Sequence, residues 1–360
     1  MQWQELADRV VPILGFLLCI TIVAELADRV GVFAVLADRI AALAGGSVPR
    51  LWGLTAVLAI LATAVLSLDT TAVLLTPVVL ALATQLKLDR ALFAYTTVWL
   101  ANTASLVLPV SNLTNLLAVD VLHLGAPSFA RLMWPAALAA TLVTVAALAV
   151  LFRRSLRGRY APAKPIVVPD RPLLVLALAV CLLLGPVFAA GIDVTYGSAV
   201  AALILVLGCL ARAPHLLSAR LLPWQLILGV GILFVIVQVA HDYGLAHLLG
   251  RAAGAAGNGW VDLLRLAAIA ALGANLVDNL PSYLAMEPVA QATPIRMAAL
   301  LVGVNTGPLI TPWASLATLL WAGRCRAAGI TISWHNFTLR GLILVPILLT
   351  ACTTALTLNR

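Results

Sequence analysis

The sequence predicts an all-α polytopic membrane protein built from inverted structural repeats, with re-entrant hairpins and broken transmembrane helices. Three observations point there. Of 360 residues, 63% are hydrophobic and 10% charged, at a mean hydropathy of +1.08, whereas soluble domains carry about a quarter charged residues. Apolar runs of membrane-crossing length are broken by polar, proline-containing stretches, and those breaks recur in the two halves. At roughly 20 apolar residues per crossing, little chain is left outside the bilayer. Soluble enzymes, disordered chains and collagen-like repeats are excluded on composition.

The first run, 10–24, is expected to anchor itself, since the start Met1-Gln2-Trp3-Gln4-Glu5 lacks the basic stretch and cleavage site of a signal peptide. Segment 25–45 is amphipathic, with Leu-Ala-Asp-Arg-Val/Ile at 6–10, 26–30 and 36–40, and is expected to lie at the interface. Runs 51–66 and 72–86 flank Ser67-Leu68-Asp69-Thr70-Thr71 and read as one hairpin, 51–86. Run 91–119 holds Asn102-Thr103-Ala104-Ser105 and Pro109-Val110-Ser111-Asn112. Proline removes a backbone donor, and irregular backbone at membrane depth survives only inside protein or beside water. Two half-helices around an unwound middle are therefore expected, and a crossing at 131–152 completes a first repeat, 1–152.

A basic linker opens the middle part, 153–220: Arg153, Arg154, Arg157, Arg159, Lys164 and Arg171, with Pro162, Pro165, Pro169 and Pro172. Two connecting helices, 172–192 and 197–211, follow it. The second repeat, 221–360, begins with a crossing at 222–240 and a hairpin, 260–290, split at Asp278-Asn279-Leu280-Pro281. Its broken helix, 297–320, contains Asn305-Thr306-Gly307-Pro308 and Thr311-Pro312, and 338–357 crosses last. Residues 102–117 lie over 305–320 without gaps, matching Asn102 to Asn305 and Pro109 to Pro312, and Asp69 falls over Asp278.

Three crossings in the first repeat and two in the connection turn the second repeat upside down. Basic residues agree: with the linker cytosolic and the N-terminus outside, sixteen of the 22 Lys and Arg residues fall inside. The net charge of +8 is thus a topology signal, and no nucleic-acid partner is expected. Cysteines 19, 181, 209, 325 and 352 lack CxxC spacing, which excludes a metal box and a disulfide framework. Trp3, Trp52, Trp134, Trp224, Trp260, Trp321 and Trp334 are expected in an interfacial aromatic belt, and Trp313 in the second break.

Inverted repeats with discontinuous helices meeting at mid-depth are the architecture of secondary transporters. The side chains expected there are Thr70, Thr71, Asn102, Thr103, Ser105, Ser111, Asn112, Thr114 and Asn115 from the first copy. The second copy adds Asn279, Ser282, Asn305, Thr306, Thr311, Ser315 and Thr318. These stretches contain no Lys or Arg, which suits a small neutral or weakly acidic polyhydroxy solute better than a multiply charged anion. The alternative is that Ser and Thr bond back to their own helices and Asn joins spans.

An ionised side chain at a helix centre costs at least ~2.5–3.5 kcal/mol, so Asp69 and Asp278 are expected to carry protons or, with carbonyls, to hold sodium. Capping a half-helix is the alternative role for each. Glu287 is expected at a hairpin base, and His123, His241 and His247 at outer helix ends. An intramembrane enzyme would need a Ser/His or paired-Asp motif on facing intact helices, which the hairpin context of the two aspartates does not supply. A non-transporting paralogue is the other reading from a different class.

Ser67-Leu-Asp-Thr-Thr-Ala-Val-Leu-Leu-Thr-Pro77, Ala101-Asn-Thr-Ala-Ser-Leu-Val-Leu-Pro-Val-Ser-Asn-Leu-Thr-Asn115, Asp278-Asn-Leu-Pro281, Gly307-Pro-Leu-Ile-Thr-Pro-Trp-Ala-Ser-Leu-Ala-Thr-Leu-Leu-Trp321 and Thr331-Ile-Ser-Trp334 carry a family resemblance. Over nearly its whole length the chain resembles the bacterial arsenite/antimonite efflux permeases of the ion transporter superfamily, related to divalent-anion symporters. By that resemblance it is expected to be N-terminally shortened by about two spans. The resemblance implies a bacterial cytoplasmic-membrane protein without a cofactor, exporting arsenite or antimonite against proton influx by alternating access, in some members with a soluble ATPase. It leaves the oligomeric state open.

By the same likeness, Asp69 matches the acidic residue of the first hairpin, and Asn102 with Ser111-Asn112 the first break. Asn279 and Pro281 match the second tip, and Pro308, Thr311-Pro312 and Ser315 the second break. Trp313-Ala314 stands where the family has a small Ile-Gly pair, and Thr306 where Leu is common. Anion or dicarboxylate symport, or sodium/proton antiport, is the alternative within the superfamily. The Leu-Asp-Thr and Asp-Asn-Leu tips differ from the Ser-Asn-Thr tips of sodium-coupled dicarboxylate carriers.

Overall fold

The computed structural model describes residues 3–161, 170–253 and 257–358. Pro162, Lys164, Pro165 and Pro169 of the linker, and Arg360, lie outside them. Among the described residues every regular element is helical. Among the same residues, seven helices are long and apolar enough to cross a membrane. α1 (Trp3–Val30) runs past the expected end of the first span and stops at Gly31, whose φ of 96° suits glycine. α2 (Val32–Leu43) buries Val32, Phe33, Ala37 and Ala41. Only this later part of the amphipathic segment 25–45 is separate from the crossing, because Arg29 pairs with Glu25 at 3.1 Å and donates to the Leu216 carbonyl.

α3 (Val48–Val65) and the second arm, α4 (Leu68–Thr70), a π-turn Thr71–Leu75 and α5 (Thr76–Gln85), form the first hairpin. α6 (Arg90–Thr103) and α7 (Leu113–Leu122) flank the first break, and α8 (Ala126–Leu151) follows. α9 (Arg171–Ala189) and α10 (Val194–Arg212) make the connection. The Leu173 N–H and the Arg212 guanidinium, at 2.9 Å, hold the Asp170 carboxyl below the usual carboxylate range. α11 (Trp224–Asp242) and α12 (Leu245–Ala253) lead to the second hairpin, α13 (Trp260–Leu276) and α14 (Asn279–Ala290). α15 (Pro294–Thr306) and α16 (Leu316–Ala327) flank the second break, and α17 (Trp334–Leu358) closes the chain.

Hydrogen bonds at the hairpin bases bring the two ends of each hairpin together and set the two bases at opposite ends of α8. At one base, the Val48 N–H reaches the Gly158 carbonyl, the Tyr160 N–H bonds Gly46, and Ser155 Oγ donates to Asp89 just beyond α5. Both ends of the first hairpin thus meet the segment that follows the C-terminus of α8. At the other base, Thr293 Oγ1 donates to Asn258 (2.9 Å), while Arg296 spans the Gly257 (2.8 Å) and Val289 (3.3 Å) carbonyls. That base shares a surface cavity with Ser128, Arg131 and Leu132, at the N-terminal end of α8. The 26 residues of α8 separate its ends by about 39 Å, at ~1.5 Å per residue. α17 repeats the polarity, with Phe337 against Tyr95 near one base and Thr354 bonded by Trp260 at the other.

Close helix approach relies on small residues, as in other membrane bundles. Gly303 of α15 and Gly307, the first residue of the second break, lie against Ala267, Ala270 and Ala271 of α13, and Gly341 of α17 lies against the Leu309 carbonyl in that break. Two of the expected belt tryptophans are internal instead. Trp321 is 0% exposed and donates to the Ala94 carbonyl (2.9 Å), and Trp52, 8% exposed, donates to Thr96 Oγ1 (2.9 Å). An indole N–H that finds an acceptor on a facing helix is buried at no polar cost.

Candidate functional site

The two breaks follow one design, residue for residue. α6 ends at Thr103, two short 3-10 turns cover Ala104–Leu106 and Pro109–Ser111, and α7 starts after Asn112. α15 ends at Thr306, the turns cover Gly307–Leu309 and Pro312–Ala314, and α16 starts after Ser315. Hydrogen bonds join the copies at this level. Asn305 Oδ1 accepts from Asn112 Nδ2 (2.7 Å) and Thr114 Oγ1 (3.1 Å), and Asn305 Nδ2 donates to Asn115 Oδ1 (3.2 Å). Asn115 in turn donates to the Ser105 and Leu108 carbonyls that the unwound backbone exposes.

Several other expected site residues spend their polar atoms locally. Thr103 and Thr306 donate to the Trp99 and Val302 carbonyls of their own helices, Ser105 to the Asn102 carbonyl, and Asn102 Nδ2 to the Val98 carbonyl. Ser111 and Thr311 tie the breaks to the first arms of the hairpins, at the Ala64 carbonyl (2.9 Å) and Asn275. Asn275 has no counterpart among the residues expected from sequence. It donates to the Gly307 carbonyl (2.9 Å), accepts from the Thr311 N–H (2.9 Å), and offers its own carbonyl to Trp313 Nε1 (2.7 Å). An amide one turn before a hairpin tip, inside an apolar run, is the signal that marks it.

The hairpin tips correspond differently from the aspartate-on-aspartate alignment. Ser67 caps α4 and Asp278 caps α14, each directly after the residue that ends the first arm. Ser67, at φ 141° and ψ 167°, occupies a region costly for a side-chain-bearing residue. Its hydroxyl meets both the N–H and the hydroxyl of Thr70, and Thr71 accepts from Thr63 (2.8 Å). Asp69 is half-buried in the first turn of α4. Asp278 accepts from the Leu280 N–H (3.1 Å) and faces the N–H groups of Asn279 and Leu316, within electrostatic reach of Asp69. Asn279 is buried beside it. Both aspartates therefore stand at the convergence of the tips and the second break, among hydroxyls and amides.

A family model described as CitMHS, citrate transporter, matches residues 4–317. The chain belongs to the CitMHS family. This family member is 29% identical over 359 residues to the arsenical pump membrane protein of Escherichia coli K12, with 92% of this chain and 82% of that protein covered. It is 24% identical over 365 residues to a 46 kDa membrane protein of Mycobacterium leprae, covering 93% and 83%. The crystal structure of the YdaH transporter of Alcanivorax borkumensis superposes with a TM-score of 0.61 at 16% identity, over 99% of this chain and 87% of that one, and so shares the fold. This CitMHS chain is a multi-pass membrane transporter rather than an enzyme.

One further polar cavity, of about 310 Å³, lies between α7, α11 and α14 of this CitMHS protein. Asp120, His123, Gln238, His241, Glu287 and Gln291 line it. His123 and His241, expected as separate interfacial residues, share one vestibule, and Glu287 joins them from the hairpin base.

Proposed function

We propose that this transporter exports arsenite, antimonite or a similarly small oxyacid by alternating access, coupled to proton entry through Asp69 and Asp278. The observation that supports it best is the hydroxyl-and-amide junction between the breaks, centred on Asn305 with Asn112, Thr114 and Asn115. Two carboxyls stand at the hairpin tips, Asp278 facing the Leu316 N–H that follows the second break, and these stretches hold no cationic side chain. Thr70, Thr71, Asn102, Thr103, Ser105, Ser111, Asn112, Asn279, Asn305, Thr306, Thr311 and Ser315 are the proposed substrate shell. The linker side is proposed to face the cytosol and the N-terminus the outside of a bacterial cytoplasmic membrane.

The hairpins enter from opposite faces, so a proton gained or lost at the tips changes the charge that each presents to the site. An interaction that differs between two conformations biases which of them is populated. Symport of a carboxylate anion is the second reading, favoured by the family's description and opposed by the lack of Lys or Arg in the breaks and tips.

Everted vesicles offered radiolabelled arsenite, antimonite or citrate test this directly. Arsenite or antimonite should accumulate under an imposed pH gradient, and Asp69→Asn should abolish that accumulation while the protein still extracts as a folded species. Accumulation driven by a sodium gradient alone, or of citrate and not arsenite, overturns the proposal.

A further inference from the structure

We infer that, of two repeat-related polar clusters, the one formed by Asn102, Ser315 and Thr318 holds the open hydrogen-bonding positions for the substrate, and that it selects a neutral hydroxyl-bearing solute over a carboxylate. The inference rests on the transport reading above and narrows it to particular atoms. In the register of the breaks, Asn102 is the mate of Asn305, Ser315 of Asn112, Ala317 of Thr114, and Thr318 of Asn115. The cluster around Asn305 is satisfied by its own members. In the other, Asn102 Oδ1, Ser315 Oγ and Thr318 Oγ1 are buried with no hydrogen-bond partner among the described residues.

The difference follows from side-chain length and chemistry. Asn112 reaches across to Asn305, caps α7 through the Thr114 N–H, and is helped by the Thr114 hydroxyl. Ser315 ends one bond sooner and makes no side-chain cap on α16, and Ala317 has no polar side-chain atom to offer. α6 and α16 nevertheless pack together, their register set by the Trp321 indole on the Ala94 carbonyl. About two turns along α6 from Ala94 lies Asn102, and one to two turns back along α16 from Trp321 lie Thr318 and Ser315. Buried polar groups are nearly always paired in folded proteins, so three unpaired oxygens at one helix crossing mark a place for a ligand.

Their chemistry defines that ligand. Asn102 has committed Nδ2 to Val98, which leaves an oxygen that only accepts. The two hydroxyls both give and take. A solute with several O–H groups complements all three atoms. A carboxylate, which only accepts when ionised, cannot pair with Asn102 Oδ1. The positive end of α16 does not help it, because Asp278 already faces the Leu316 N–H.

Equilibrium dialysis of radiolabelled arsenite against the purified full chain, with citrate and sodium as competitors, tests the assignment. Thr318→Val, nearly isosteric, and Asn102→Leu should each weaken arsenite binding roughly tenfold. Thr144→Val, which removes an equally buried and unpaired hydroxyl of α8 outside both breaks, should leave binding within about twofold, and citrate should not compete. If the wild type binds arsenite and both Thr318→Val and folded Asn102→Leu bind it equally well, this assignment fails and the transport reading stands. If the wild type binds citrate, or sodium alone, and not arsenite, both fail.

Discussion

Replacing Asn305 with leucine strands Asn112 Nδ2, Thr114 Oγ1 and Asn115 Oδ1 at once. At ~1–3 kcal/mol for each buried group left unpaired, and with partial relaxation, the expected loss is about 2–4 kcal/mol, read as a lower unfolding temperature in detergent. Asn102→Leu removes an oxygen that bonds nothing and an amide that bonds only its own helix, so its cost should stay under about 1 kcal/mol. Equal losses for the two variants would contradict the asymmetry of the breaks. Sequence made Asn102 and Asn305 visible as mates because the repeat is ungapped there. It did not separate their roles, since the bonds of Asn305 span 190–193 residues and depend on Ser315 being shorter than Asn112. At the hairpins the same logic misled: Asp69 over Asp278 matches residue types, whereas the chain matches positions, with Ser67 as the true counterpart.

Hairpins and breaks were legible as elements because their punctuation is chemical: proline, asparagine and aspartate inside apolar runs leave few alternatives at membrane depth. The end of α1 was not, because Glu25, Asp28 and Arg29 read as polar flank while the Arg29 contacts to Glu25 and Leu216 keep the helix intact. Nor did glycine positions reveal which elements touch. Gly303 lies where α15 packs on α13, and a Cβ there would overlap the Ala267 carbonyl. Gly303→Ala should therefore push the first arm of the second hairpin away from its break, destabilising by about 1–3 kcal/mol. Thermal unfolding of that variant beside Gly53→Ala, where an added Cβ meets nothing within 4 Å, isolates the packing effect. A loss no larger than that of Gly53→Ala would mean the two elements do not depend on this contact.

Across the whole molecule the decisive property is that one long helix, α8, has the base of a different hairpin at each end. The segment after Leu151 holds Gly46, Val48 and Asp89, and the surface beside Ser128 and Arg131 holds Asn258 and Thr293. A helix of 26 residues spans more than the ~30 Å hydrocarbon core, so the two bases stand on opposite sides of the membrane whichever side is cytosolic. Arg157 and Ala292 are exposed next to the two bases. In a background with the five free cysteines replaced, Arg157→Cys and Ala292→Cys should react with a membrane-impermeant maleimide from opposite sides, one in everted vesicles and the other in intact cells. Labelling of both from one side would place the hairpins in parallel. Their tips could then not meet the two breaks at a common depth, and a site shared between the copies would lose its geometric basis.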